Sequence, residues 1–228
     1  AINPGHVYGQ LEGIATREPA FGLEAVWIEP SQRDQARTLG YTVVDAATAI
    51  STHLNKVLRE NASDLLSHDE TQQLLDKLAA KSPKIVEDLV PGKLSLGILT
   101  RTLQNLLQES VSIRDMRTIA EALTEASTRT QDPEQLTAMV RPKLGRMIMQ
   151  SLIDGDNGLQ VMTLEPSLEQ LLHNVLQQSQ PGQAVVMEPG LSENLFAGLR
   201  EGARTVEDMG HPAVLVVSPV IRGWLSKA

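Results

Sequence analysis

The stretch Asp88–Leu123, DLVPGKLSLGILTRTLQNLLQESVSIRDMRTIAEAL, most limits what this chain can become. After the Pro91-Gly92 breaker, Leu96, Leu99, Leu103, Leu106 and Leu107 recur at the spacing of one helix face. A turn follows, and Met116, Ile119, Ala120 and Leu123 repeat the pattern. Ser112 is placed to cap the second helix, which puts Asp115 in its first turn, against the positive end of the helix dipole. Two apolar stripes so close in sequence must bury against each other or against further helices, so a helical domain is expected here.

The flanking segments obey other periods. Over residues 1–45, Gly9, Gly13, Pro19, Gly22 and Pro30 punctuate candidate strands at Val7–Ile14 and Leu23–Ile28. A short helix opens at Pro30-Ser31 and stops at Gly40, and Tyr41–Val44 reads as a third strand. A helix over Thr48–Leu65 should bury Ile50, Leu54, Val57, Leu58 and Leu65. Ser67 and Glu70 form a capping box ahead of Leu74, Leu75 and Leu78, and Pro83 then interrupts the chain. Asp132-Pro133-Glu134 starts a helix expected to reach about Leu152 with a kink at Pro142.

After Asp154–Gly158 the pattern alternates. Strands are expected at Leu159–Leu164, Ala184–Met187 and Ala213–Val217, the last buried, and helices at Ser167–Gln178, Ser192–Met209 and Val220–Lys227. The fold class is therefore mixed α/β and α, in several domains. Residues 1–45 form a small ferredoxin-like α/β unit, 46–66 a helix, 67–150 a helical subdomain and 151–228 a C-terminal βαβαβα subdomain.

Composition narrows the function classes. The formal charge of −8, with no basic cluster, argues against nucleic acid as a partner. With no cysteine, disulfides, thiolate metal sites and cysteine nucleophiles are excluded. No apolar run is long enough to cross a membrane and no signal-peptide pattern opens the chain, so a soluble piece of polypeptide is expected. His6, His53, His68, His173 and His211 form no helical ligand pair. The acidic loop Asp154–Gly158 fails as a calcium loop because Leu159 stands where glycine is required. No phosphate loop, dinucleotide fingerprint or nucleophile elbow is present. Neither a catalytic set nor a cofactor or metal site is expected.

Two constellations carry more than one reading. Arg114 and Arg117 lie one helical turn apart with Asp115 between them. Such a run is commonly a solvated face, but two guanidinium forks on one side can also hold an interdomain or inter-subunit contact. Phe21, beside Gly22 and Pro19, reads on residue type alone as filler of a small core.

The run Ile113-Arg114-Asp115-Met116-Arg117 resembles the FHIPEP family of type III export-gate subunits, most closely the flagellar branch. Phe21-Gly22-Leu23, Trp27-Ile28, Tyr41–Ala46 and Thr52-His53-Leu54-Asn55 fall in that family's order, so the likeness covers nearly the whole chain. It implies a docking platform on the cytoplasmic face of the bacterial inner membrane, below a transmembrane bundle, with an incomplete first subdomain around 46–66. Implied partners are flagellar export chaperones with their substrates, the ATPase complex, a second gate subunit and further copies in a homo-oligomeric ring, a nonamer in the family. It also turns Phe21 outward: the family's chaperone-binding dimple maps onto Glu18, Phe21 and Thr52, with Pro4 and Val44 nearby, and with Glu18 where the family usually has Asp. The alternatives are the virulence injectisome form of the same subunit and, from another class, a small-molecule hydrolase working in an interdomain cleft.

Overall fold

The computed structural model describes residues 1–153, 158–178 and 189–226, in two compact units, Ala1–Ser67 and His68–Ala228.

In the first unit, β1 (Ile14–Arg17) and β2 (Glu24–Trp27) pair antiparallel, with Ile14 opposite Trp27 and Arg17 opposite Glu24. Ile2 bridges to Ala25 on one side and Thr42 on the other. The strand expected at Tyr41–Val44 is thus a single bridge, and the sheet is a hairpin with one added rung, short of the four strands that the ferredoxin-like description implies. β1 also starts at Ile14, where the expected strand ended. A 3-10 turn at Pro30–Gln32 leads into α1 (Arg33–Thr38). Gly40 reverses the chain at φ +89, a left-handed conformation open to glycine at no steric cost. Tyr41 is then buried beside Ala36, and its hydroxyl donates to the Gly9 carbonyl at 3.1 Å.

α2 (Ala46–Glu60) begins on Asp45, whose side chain accepts from the Thr48 N–H at 2.7 Å, and α3 (Ala62–Leu65) follows. Its expected buried face is not buried. Ile50, Leu54, Val57, Leu58 and Leu65 are all exposed, Ile50 by 67%. The half-buried positions are instead Ala49, Thr52 and Lys56, a narrower stripe at the same helical spacing. Periodicity reports which side of a helix is apolar, and the neighbouring chain decides which side is covered.

The second unit holds the helical domain. Its first elements are α4 (His68–Ala79), α5 (Pro83–Leu89) and α6 (Leu96–Gln108). They are followed by α7 (Met116–Ala126), α8 (Pro133–Val140) and α9 (Gly145–Leu152). The leucine stripe of α6 is the centre: Leu99, Leu103 and Leu106 are fully buried, as are Ile119, Ala120 and Leu123 of α7 and Leu136 of α8. Leu96 and Leu107 sit half-buried at the margin. Ser95 caps α6 and Asp132 caps α8.

Two local expectations change. The cap of α7 is Asp115, which accepts from the Thr118 N–H at 3.1 Å, so Ser112 lies outside the helix. Asp is as good a cap as Ser, and here it lies immediately before the first apolar residue of the stripe. At Pro142 the chain tightens into a 3-10 turn over Arg141–Leu144 that separates α8 from α9, in place of one kinked helix.

The C-terminal part joins β3 (Met162–Thr163) to β4 (Leu215–Val216) in parallel, with α10 (Pro166–Gln178), α11 (Pro189–Asp208) and α12 (Pro219–Leu225). Leu164, Leu172, Leu195 and Ile221 form its core. Phe196 and Trp224 approach with ring centroids 6.2 Å apart. The strand over Ala213–Val217 shrinks to two residues, and Val216 is 50% exposed, so it is not the buried strand expected. The strand expected at Ala184–Met187, residues 154–157 of the acidic loop, and Lys227 lie outside the described residues.

Candidate functional site

The turn joining β1 to β2 carries the aromatic side chain singled out in the sequence. Glu18 is buried, and its carboxylate serves the backbone: one oxygen accepts from the Ala20 N–H at 2.8 Å and the other from the Phe21 N–H at 2.7 Å. The Glu18 N–H donates to the Leu23 carbonyl at 2.8 Å, and the Gly22 N–H donates to the Glu18 carbonyl at 2.9 Å. Gly22 closes the loop at φ +71. These bonds hold Phe21 at the tip, 67% exposed, in spite of its apolar ring. The reading of Phe21 as core is therefore set aside.

α2 supplies the other half of the site. Lys56 donates to the Ala20 carbonyl and holds its ammonium 5.3 Å from the centroid of the Phe21 ring, within cation–π range. It also lies 3.6 Å from Glu60. Thr52, one turn earlier on the same side, is half-buried. Next to this turn, Thr16, Glu18, Pro19, Trp27, Val44 and Ala49 line a hollow of ≈ 50 Å³. Glu18 and Val44 are thus brought to one recess, while Phe21 stands at the tip of the turn and Thr52 on the α2 side. Pro4 is exposed and lines none of it. Sequence reasoning missed Lys56 because a lysine in an amphipathic helix ordinarily faces water; its four-residue spacing from Thr52 was the available signal.

Arg114 precedes α7 and Arg117 lies inside it, so the two do not share a helix face. Arg117 pairs with Glu121 one turn on, at 3.0 Å, and both are well exposed. Asp115 is taken by its cap, where it also accepts from the Thr118 hydroxyl at 2.7 Å. A different charged cluster is half-buried. One oxygen of Glu109 accepts from Arg141 and from Arg222, each at 2.7 Å, tying the end of α6 to the 3-10 turn and to α12. Desolvation lowers the pKa of Arg141, Glu109 raises it, and Arg222 lowers it again.

Among the described residues no three His, Cys, Asp or Glu side chains gather as metal ligands. Asp45 and Glu165 are held below the ordinary carboxylate range by N–H and hydroxyl donors at helix starts, which is cap chemistry. No described helix is long and apolar enough to cross a membrane.

The chain belongs to the FHIPEP family, whose model matches residues 1–228. The flagellar biosynthesis protein FlhA of Yersinia enterocolitica is 48% identical to it over 227 residues, covering 100% of this chain and 32% of that protein. FlhA of Escherichia coli (strain K12) is 47% identical, with the same coverage. The chain spans about a third of the length of these curated relatives. Among solved structures, the Chlamydia pneumoniae CdsV protein aligns with a TM-score of 0.78 at 21% identity, over 97% of this chain and 68% of that one. The Chlamydia pneumoniae CdsV and CdsO complex aligns at 0.71 and 21% identity, over 89% and 59%. Nonameric EPEC SctV-C aligns at 0.68 and 24% identity, over 94% and 72%. At these identities the structural likeness establishes the mostly helical fold.

Proposed function

We infer that this chain is a docking part of a flagellar-type protein export gate, receiving chaperones with their substrates and ordering their entry, without catalysis of its own. One observation carries the reading: a buried acid and a lysine together hold an apolar ring in water. Exposing a large aromatic on a rigid turn forfeits burial energy of about 2 kcal/mol, so such an arrangement suits a ring whose burial occurs on binding. In this site Glu18 shapes the turn, Phe21 anchors the visitor, and Val44 and Thr52 border the anchor. The flagellar branch is supported by the 47–48% identity to FlhA proteins, against 21–24% to the neighbouring solved structures.

A homo-oligomeric ring and contact with other export components, including the ATPase complex and a second gate subunit, are part of the same reading. The nonameric and CdsO-bound neighbours support it. The exposed apolar face of α2 supports the view that residues 46–66 complete their packing against further polypeptide. The place of action is the cytoplasmic face of the inner membrane. Phe21→Ala tests the reading, with titration calorimetry against purified flagellar chaperone and cargo complexes. An aromatic anchor should cost about 2 kcal/mol, roughly thirtyfold in affinity. Equal affinity of the variant and the parent protein would remove Phe21 from the site.

A further inference from the structure

The geometry points to Lys56 as the residue that positions Phe21 for docking, and this inference rests on the docking reading. Lys56 is the described side chain of α2 that makes polar contact with the Phe21 turn, and it does so twice. It donates to the Ala20 carbonyl, and its ammonium lies 5.3 Å from the Phe21 centroid. Ala20 is itself buried, and the peptide joining it to Phe21 is gripped at its carbonyl by the Lys56 ammonium and at its N–H by the Glu18 carboxylate. A ring on a surface turn samples several rotamers, and a cation resting on one of its faces selects among them. The rest of the ring is left to solvent.

Two consequences follow. The ring offers its remaining surface to a partner in a set orientation, so less side-chain freedom is lost on binding. The turn is also tied to α2, so a displacement of that helix would carry the ring with it. Glu60 lies 3.6 Å from the ammonium and is well exposed, and the Glu18 carboxylate sits beneath the same turn, so the three groups carry a formal charge of +1 − 2 = −1 beside an apolar ring. The visitor this suits is an apolar, non-acidic segment of a protein.

The test uses the 228-residue protein and two readouts. Proton NMR should show the Lys56 side-chain methylene protons shifted upfield by the Phe21 ring, with the shift lost in Phe21→Leu. In calorimetry against the same chaperone and cargo complexes, Lys56→Met should weaken binding about fivefold, the scale of a cation–π contact, while Lys56→Arg stays within about twofold. In the Phe21→Leu background Lys56→Met should have no further effect, which a merely structural lysine would not produce. If Phe21→Leu weakens binding and Lys56→Met does not, the positioning role is overturned and docking stands. If Phe21→Leu binds as the parent does, both fall. Absence of the ring-current shift overturns the positioning role alone.

Discussion

Replacing Glu109 by Gln probes the most concentrated electrostatics in the second unit. One Glu109 oxygen serves Arg141 and Arg222 at 2.7 Å each, with side-chain exposures of 16%, 25% and 26%. Glutamine keeps the shape and one accepting oxygen but removes the charge, leaving two guanidiniums facing each other without a counter-ion. Breaking a fully buried pair costs about 3–5 kcal/mol, whereas exposed pairs are worth about 1 kcal/mol or less. The intermediate exposure sets the expected loss at about 2 kcal/mol, a fall in melting temperature of roughly 4–8 °C for a unit of this size. Circular dichroism melts at low and moderate salt would measure it, and the loss should change little with salt because the cluster is sheltered. In the Arg222→Met background it should shrink, since a single arginine no longer faces a neighbour of like charge. A loss below about 0.5 kcal/mol would show that the carboxylate contributes no more than a surface pair and refute the reasoning.

Other perturbations separate the elements. Leu103→Ala empties a fully buried position at the centre of the helical domain and should cost about 2–5 kcal/mol, seen as a lower urea midpoint with unchanged slope. Glu18→Ala removes the acceptor for two N–H groups, one of them on buried Ala20, and should destabilise the first unit by about 2 kcal/mol, read by amide exchange at Ala20 and Phe21. Asp45 is depressed below its ordinary 3.8, chiefly by the Thr48 N–H, so its contribution is present above that value and lost as pH falls through the lower folded value. Asp45→Asn should flatten that part of the acid-unfolding profile of α2.

What was legible in the sequence is what short-range chemistry dictates. Asp132-Pro133 starts a helix where it stands because a cap acts on N–H groups two or three residues away. The stripe Leu99, Leu103, Leu106 is buried as read, since α8 and α4 pack against that helix. The same signal misplaced α2, whose apolar stripe has no cover within its unit. For α7, Ser112 reads as the cap and Asp115 as an acid of the first turn, but Asp115 is the cap, and residue type alone does not choose between them. At the candidate site, Glu18 and Phe21 were picked out by likeness to a family, and that likeness also turned Phe21 outward.

By itself the sequence determined where most helices lie, the Asp132 cap, the leucine core of the middle domain and the lack of thiol chemistry, because each depends on residue type and on spacings of a few positions. Tertiary structure alone decided that Lys56 lies over the Phe21 ring from 35 residues away, and that Glu109 meets Arg141 and Arg222 across separations of 32 and 113 residues. Contacts of that kind arise only when distant segments pack, and no local periodicity records which partner a folded chain will bring.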